Sequence, residues 1–165
     1  MPLRLQIASG ADVSDLVALR IAVHQHLAAK FGPGYWAPGV TEKGVLFAMR
    51  NSHVYVARHR NRLIATLTLS TRKPWAIDKK YFRPSKQPLY LTSMAVHPNA
   101  QRKGVGKLCM EEARQIARAW PSDAIRLDAY AVEAGASEFY RKCGFTEVGR
   151  ASYRGVPLVY LEMLF

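Results

Sequence analysis

The stretch Ala95 to Leu108, AVHPNAQRKGVGKL, offers a seat for a phosphate-sized anion. An apolar run ends at His97-Pro98, Gly104 and Gly106 stand one residue apart, and Arg102, Lys103 and Lys107 crowd the point where a helix begins. The first turn of a helix leaves its N–H groups without intrahelical partners, and the macrodipole adds partial positive charge there. Glycine lets an anion approach the backbone because no Cβ stands in the way. In Gln101-Arg102-Lys103-Gly104-Val105-Gly106, successive amides could ring one or two phosphates while Lys107 and its two cationic neighbours neutralise them. A Walker loop is excluded, because Gln101 and Leu108 occupy the positions of its first glycine and its Ser or Thr. A dinucleotide fingerprint fails at Cys109, where its third glycine belongs. A plain tight turn with solvated cations would use the same residues, and the spacing alone leaves both readings open.

The elements that must position this turn follow from periodicity. Leu3 to Ala8 reads as a strand. Asp12 or Ser14 caps a helix with Leu16, Leu19, Val23, Leu27 and Phe31 on one face, ended by Gly32-Pro33-Gly34. A polar loop with Tyr35 and Trp36 leads to a shorter helix near Thr41 to Arg50. His53 to Arg58 and Leu63 to Thr71 alternate as a hairpin turning at Asn61-Arg62. Arg72 to Pro88 is a long loop with Trp75, Tyr81 and Phe82, a length that points to binding or to covering a site. Leu89 to His97 is apolar on both faces, as in a central strand. The helix after Gly104 repeats Val105, Leu108, Cys109, Ala113, Ile116, Ala117 and Trp120 at spacings of three and four. Ile125 to Ala131 is a strand, Ala136 to Lys142 a short helix carrying Tyr140, and Phe145 to Val148 and Pro157 to Leu164 are strands about a turn at Arg154-Gly155. Strand, helix, strand at 89 to 131 implies a parallel pair with a right-handed crossover. The expected class is therefore α+β, a mixed, mostly antiparallel sheet of about seven strands with helices on both faces.

At 165 residues, 49% hydrophobic and 22% charged, the chain fits one folded domain over residues 1–165. The 24 Lys and Arg against 12 Asp and Glu give a net charge of +12, which draws in nucleic acid, anionic membranes or polyphosphates. No stretch has the roughly 18 uninterrupted apolar residues of a membrane span. The opening MPLRLQIASG lacks an apolar core behind a basic start, and Cys109 and Cys143 lie far apart, so both are expected as free thiols in a reducing cytoplasm. His24 and His26 are two apart and point in different directions on a helix, so no metal is expected.

With AGASEFYRKCGF, Ala134 to Phe145, a second constellation joins the first. QRKGVG after a strand ending in VHP, and FYRKCGF about 35 residues later, together resemble the GNAT superfamily of acyl-CoA-dependent N-acyltransferases. The resemblance covers almost the whole chain. It implies that the two central parallel strands splay at a bulge near Met94, Ala95 and Val96, and that the pantetheine arm of acetyl-CoA pairs with the backbone there. The pyrophosphate would rest on the amides of Arg102 to Lys107, and Ser137 joins the cofactor contacts. A basic chain then needs no nucleic acid, since coenzyme A is itself polyanionic. Tyr140 matches the family's general acid, able to give its proton to the departing thiolate. No acid stands in Leu89 to Ser93, where some relatives carry a glutamate. Glu133, where relatives usually have asparagine, becomes the candidate base, and Asp128 is the other acid to weigh. Cys143 reads as a packing residue, and Trp36, Trp75, Tyr81 and Phe82 are candidates to line the acceptor side, since loops carry specificity on a rigid scaffold, or to pack over the sheet.

The resemblance implies an N-acetyltransferase acting on a primary amine by direct attack in a ternary complex, as a monomer or homodimer. Two alternatives keep the fold without turnover, a basic RNA- or ribosome-binding module and an acetyl-CoA sensor. RNA-binding motifs and clustered basic runs are absent, which ranks nucleic acid below the coenzyme. The acceptor stays open among polyamines, aminoglycosides, amino acids, peptide N-termini and protein lysines. A +12 chain repels polycations unless its acceptor pocket is locally acidic.

Overall fold

The loop after the first helix, with Pro33, Gly34, Tyr35 and Trp36, lies outside the residues that the computed structural model describes, which are 3–32 and 39–165. The chain divides into two units, residues 1–69 with 92–113, and residues 70–91 with 114–165. Seven strands lie in the order β1-β2-β3-β4-β5-β7-β6, a mixed sheet with one parallel pair and flanking helices, as the pattern of the sequence implies.

In the first unit, β1 (Leu5–Ile7) pairs antiparallel with β2 (His53–His59), and β2 with β3 (Arg62–Ser70). The hairpin turns at Arg60 and Asn61, with φ of 50° and 66°, one residue earlier than expected. Two left-handed residues match the twist of the strands, and Asn tolerates the second position, so Arg62 is already in the ladder opposite His59. The first helix has Asp12 as its N-cap residue, one of the two positions expected. Ser9 caps a 3-10 turn, Gly10–Asp12, its N–H donating to Asp12 Oδ2 at 2.8 Å, and this runs directly into α1 (Val13–Phe31). Gly32, at φ 88°, stops it. In α2 (Glu42–Asn51) the Thr41 hydroxyl accepts the Gly44 N–H at 3.1 Å. Val13, Leu16, Leu19 and Val23 of α1 meet Val45, Val54, Val56, Leu63 and Ala95 in one apolar cluster.

β4 (Pro88–Val96) has residues 88–91 in the second unit, where Pro88–Tyr90 keep a parallel register with Ala124–Arg126 of β5 (Ala124–Tyr130). β5 then pairs antiparallel with β7 (Val156–Leu164), and β7 with β6 (Thr146–Tyr153). β6 runs five residues beyond its expected end at Val148. Gly149 interrupts the alternation that marks a strand, yet the ring of Tyr81 fills the space where its side chain would stand. A Cβ at Gly149 would come within 2.4 Å of Tyr81 Cδ1. The long loop is thus anchored: Asp78 caps a 3-10 turn, Lys79–Tyr81, and Ile77 and Phe82 are buried with Tyr90 and Tyr160. Tyr81 and Phe82 pack, while Trp75 stays 90% exposed. The two remaining helices, α3 (Val105–Ala119) and α4 (Ser137–Lys142), each open on a segment singled out in the sequence.

Candidate functional site

The polar turn hangs from the end of β4. Ser93 adopts φ 52°, a left-handed kink one residue before the bulge expected at Met94 to Val96. Ala95 is buried, while Met94 and Val96 are half-buried. His97 N–H donates to Ile64 O at 2.8 Å, which holds the strand's end against β3. His97 Nδ1 accepts the Asn99 N–H at 3.1 Å, and Gln101 Nε2 donates to Val96 O at 3.0 Å, folding the turn back on the strand. Gln101 is therefore a brace of the turn. Arg102 at φ 60° and Gly104 at φ 82° then reverse the chain. A Cβ on Gly104 would meet no protein atom within 4 Å, so the backbone angle is what calls for glycine there.

The first hydrogen bond into α3 is Leu108 N–H to Gly104 O at 3.1 Å. The amides of Val105, Gly106 and Lys107 precede the helical ladder and have no helical carbonyl to meet. Arg102, Lys103 and Lys107 are exposed, and among the described residues none of them forms an ion pair. Free amides, a positive helix end and three unpaired cations suit a diphosphate. On α3 the buried stripe is Cys109, Met110, Ala113 and Ala117, whereas Leu108 is 43% exposed, so the apolar face lies slightly to one side of the one expected. Burial, with the charge of Glu112, pushes the Cys109 thiol up to about 11, which leaves it an inert packing group.

The second unit holds the other candidates. A turn after β5 leads into α4, and Gly135 is its tightest point, where a Cβ would stand 2.0 Å from Tyr130 O. Tyr140 is only 6% exposed, edge-on to Phe139 at 5.2 Å and Phe145 at 5.6 Å between ring centroids. Its N–H donates to Ala136 O and its carbonyl accepts from Phe145 N–H, each within 3.1 Å, so both sides of the residue are fixed. Burial raises the pKa of the Tyr140 phenol above its ordinary value of 10.0, and the charges of Asp128 and Cys143 add to the rise. Asp128 is half-buried on β5, and burial raises its carboxyl above the ordinary carboxylate range. A proton-holding phenol and a carboxylate inclined to take a proton therefore act on each other electrostatically. Ser137 is half-buried at the start of α4, and Glu133 is exposed on the turn before it.

Two groups of predicted residues emerge, Met94 to Lys107 in the first unit and Glu133, Ser137 and Tyr140 in the second. Asp78, Trp75 and Tyr160 lie around a recess of the second unit. Trp75 and Tyr81 were singled out in the sequence for the acceptor side, whereas Asp78, and Tyr160 of β7, carried no such signal. Among the described residues no group of His, Cys, Asp and Glu is placed to hold a metal ion, and no helix is long and apolar enough to cross a membrane.

Solved structures share this fold. The ribosomal-protein-alanine N-acetyltransferase of Brucella melitensis is 17% identical with a TM-score of 0.72, over 98% of this chain and 99% of that one. PaiA N-acetyltransferase of Thermoplasma acidophilum, solved in complex with coenzyme A, is 15% identical with a TM-score of 0.73, over 100% of both chains. YncA of Salmonella typhimurium, solved with its cofactor acetyl-CoA, is 14% identical with a TM-score of 0.70, over 99% of this chain and 94% of that one. No curated protein matches the sequence. Residues 21–145, which include the polar turn, Asp128 and Tyr140, match the Acetyltransferase (GNAT) family. The chain belongs to that family.

Proposed function

We propose that the protein transfers an acetyl group from acetyl-CoA to a primary amine, by direct attack of the amine within a ternary complex. The observation that carries this reading is a buried phenol, Tyr140, whose pKa is raised by burial and by the charge of the half-buried Asp128, on a chain of the acetyltransferase family. The relatives solved with acetyl-CoA and coenzyme A support the choice of donor. When bound, acetyl-CoA supplies a thioester whose C–S bond breaks as the amine forms its C–N bond. The amides of Arg102 to Lys107 and the side chains of Arg102, Lys103 and Lys107 hold the diphosphate. The backbone of Met94 and Val96, beyond the left-handed Ser93, takes the amides of the pantetheine arm, and Ser137 contacts the coenzyme from α4.

The ammonium first gives one proton to solvent; Asp128 accepts the second as the C–N bond forms, and Tyr140 donates its own to the departing thiolate. A proton passed from Asp128 to Tyr140 then restores both. A primary amine is protonated at neutral pH, with a reference near 10.4, so a base is required. Asp128 suits that task better than Glu133, because burial strengthens its hold on a proton whereas Glu133 lies exposed. Replacing Asp128 with Asn is expected to lower turnover and to remove the acid limb of the pH profile. That limb lies above the ordinary carboxylate range because the Asp128 pKa is raised. Glu133→Gln is expected to keep the limb, and its loss in that variant would move the base to Glu133.

The same shift has a sign for stability. The folded state holds the Asp128 proton more tightly than the unfolded state, so folding stability falls as pH rises from 3.8 through the raised value. At neutral pH Asp128→Asn is therefore expected to melt higher than the parent while working more slowly.

Binding of the donor is tested without chemistry. Saturating coenzyme A at about 100 times its dissociation constant stabilises the folded state by about 2.7 kcal/mol, a rise of roughly 5–10 °C in melting temperature. An unchanged melting curve would overturn the assignment of the phosphate turn.

A further inference from the structure

A recess of about 440 Å³ opens on the second unit, walled by Trp75, Ile77, Asp78, Tyr81, Tyr153 and Tyr160. Its lining includes one carboxylate and no Lys, Arg or His, in a chain whose net charge is +12. Aromatic faces carry negative quadrupole charge and attract cations. The rim already uses this attraction: Lys80 Nζ lies 5.4 Å from the Tyr81 centroid, and the Arg154 guanidinium 5.3 Å from that of Tyr153. Trp75, the residue type best suited to such a contact, has 90% of its surface exposed. Lys73 Nζ also donates to Ile77 O in the wall, so the groups left to take a further cation are the exposed Trp75 face and, in exchange for Lys80, the Asp78 carboxylate.

The sheet joins the recess to the proposed base. Tyr160 of β7 stands directly opposite Asp128 of β5. Opposite residues of an antiparallel pair share a face, with Cβ atoms about 4.5–5.5 Å apart. From there the Tyr160 hydroxyl reaches out to donate to Ala76 O in the recess wall, at 2.5 Å. Burial raises the pKa of the Tyr160 phenol; a hydrogen bond with the Asp78 backbone works against this, and the charges of Asp128 and Asp78 add to the rise, so the ring lies within electrostatic reach of both carboxylates. A negative group on either side of one tyrosine suits a molecule with an amino group at each end.

We propose that this recess is the acceptor subsite for a short aliphatic diamine. One amino group reaches Asp128 and Tyr140 and is acetylated, and the other stays an ammonium between the Trp75 ring and the Asp78 carboxylate. The proposal rests on the transferase reading given above. Bond changes and proton movements are those already described, with the second ammonium unchanged. A monoamine leaves the Asp78 end unfilled, and an amino acid of equal length brings a second carboxylate to Asp78 and is repelled. Asp78 also accepts the Lys80 N–H at 3.1 Å and meets Lys80 Nζ at 3.4 Å. That exposed ion pair is weak enough for a ligand's ammonium to replace it. Asparagine at 78 keeps an oxygen to cap the turn and removes only the charge.

The test compares 1,4-diaminobutane, butylamine and 4-aminobutanoate as acceptors, reading thiol released from acetyl-CoA. The diamine is expected to have a kcat/KM about tenfold above the other two, from one exposed cation–π contact and one exposed ion pair together. Asp78→Asn is expected to remove most of that advantage through KM rather than kcat. Equal rates for the three acceptors, or an advantage that survives Asp78→Asn, would overturn the proposal. Calorimetric titration of 1,4-diaminobutane into the full chain, with and without saturating coenzyme A, reads the recess without the reaction. Weaker binding to Asp78→Asn supports the subsite, and equal affinity for both forms, or no binding to either, overturns it. If diamine binding depends on Asp78 but no amine releases thiol, the transferase reading fails and the ammonium site stands.

Discussion

Tyr140→Phe is expected to slow acetyl transfer by about 10²–10⁴-fold, the usual range for removing a positioned acid, while the melting temperature stays within about 2 °C. The substitution deletes one oxygen and keeps the ring. The edge-on contacts with Phe139 and Phe145 therefore remain, as do the backbone bonds to Ala136 and Phe145. Because burial and the charge of Asp128 both raise the phenol's pKa, the parent enzyme keeps its proton across the neutral range. Its loss should thus appear as a lowered kcat at every pH rather than as a displaced limb. The measurement is thiol release under saturating acetyl-CoA and amine, with calorimetric melting on the same sample. A kcat within threefold of the parent would remove Tyr140 from the chemistry and leave it as a packing residue.

Gly135→Ala is expected to produce the largest loss of stability among substitutions near the site, about 3 kcal/mol, or a fall of roughly 10 °C in melting temperature. The added Cβ would stand 2.0 Å from the Tyr130 carbonyl oxygen and 3.1 Å from that of Val132, both backbone atoms that no rotamer change can move. Relief requires the turn itself to open, breaking the Gly135 N–H to Val132 O bond of 2.9 Å. This turn sets where α4 begins, so activity should fall along with stability. Thermal melting measures the first effect and thiol release the second. A melting temperature within 2 °C of the parent would mean that the turn is more pliant than its contacts imply.

Much of this was legible in the sequence because the governing interactions are local. The polar turn combines a strand end, two glycines and a helix start within a dozen residues, and each of those signals acts on its own neighbours. The helix carrying Tyr140 was legible for the same reason. Periodicity shows that α3 has an apolar stripe but not where its edge falls, so Leu108 was assigned inward and Met110 was passed over. The hairpin turn moved to Arg60 and Asn61 because a pair of left-handed residues fits strand twist better than the side-chain types alone suggest. β6 looked short because Gly149 breaks its alternation, and the ring that completes it comes from Tyr81, 68 positions earlier in the chain. Trp75 and Tyr81 were legible as acceptor-side candidates, but the recess they share with Asp78 and Tyr160 was hidden for a related reason. It depends on the register that sets Tyr160 against Asp128 and on a loop folded back over β7, neither of which leaves a local mark.

The ring of Tyr81 sitting where Gly149 has no side chain works like a peg in a socket. It ties the segment that presents Trp75 and Asp78 to the terminal hairpin, so the two shift as one piece and an acceptor seated there would feel any flexing of the chain's last strands. On the proposed reading, position 149 acts on selectivity from behind the cavity: a methyl group added on the hairpin would press on Tyr81 and displace a wall residue from the side away from the acceptor.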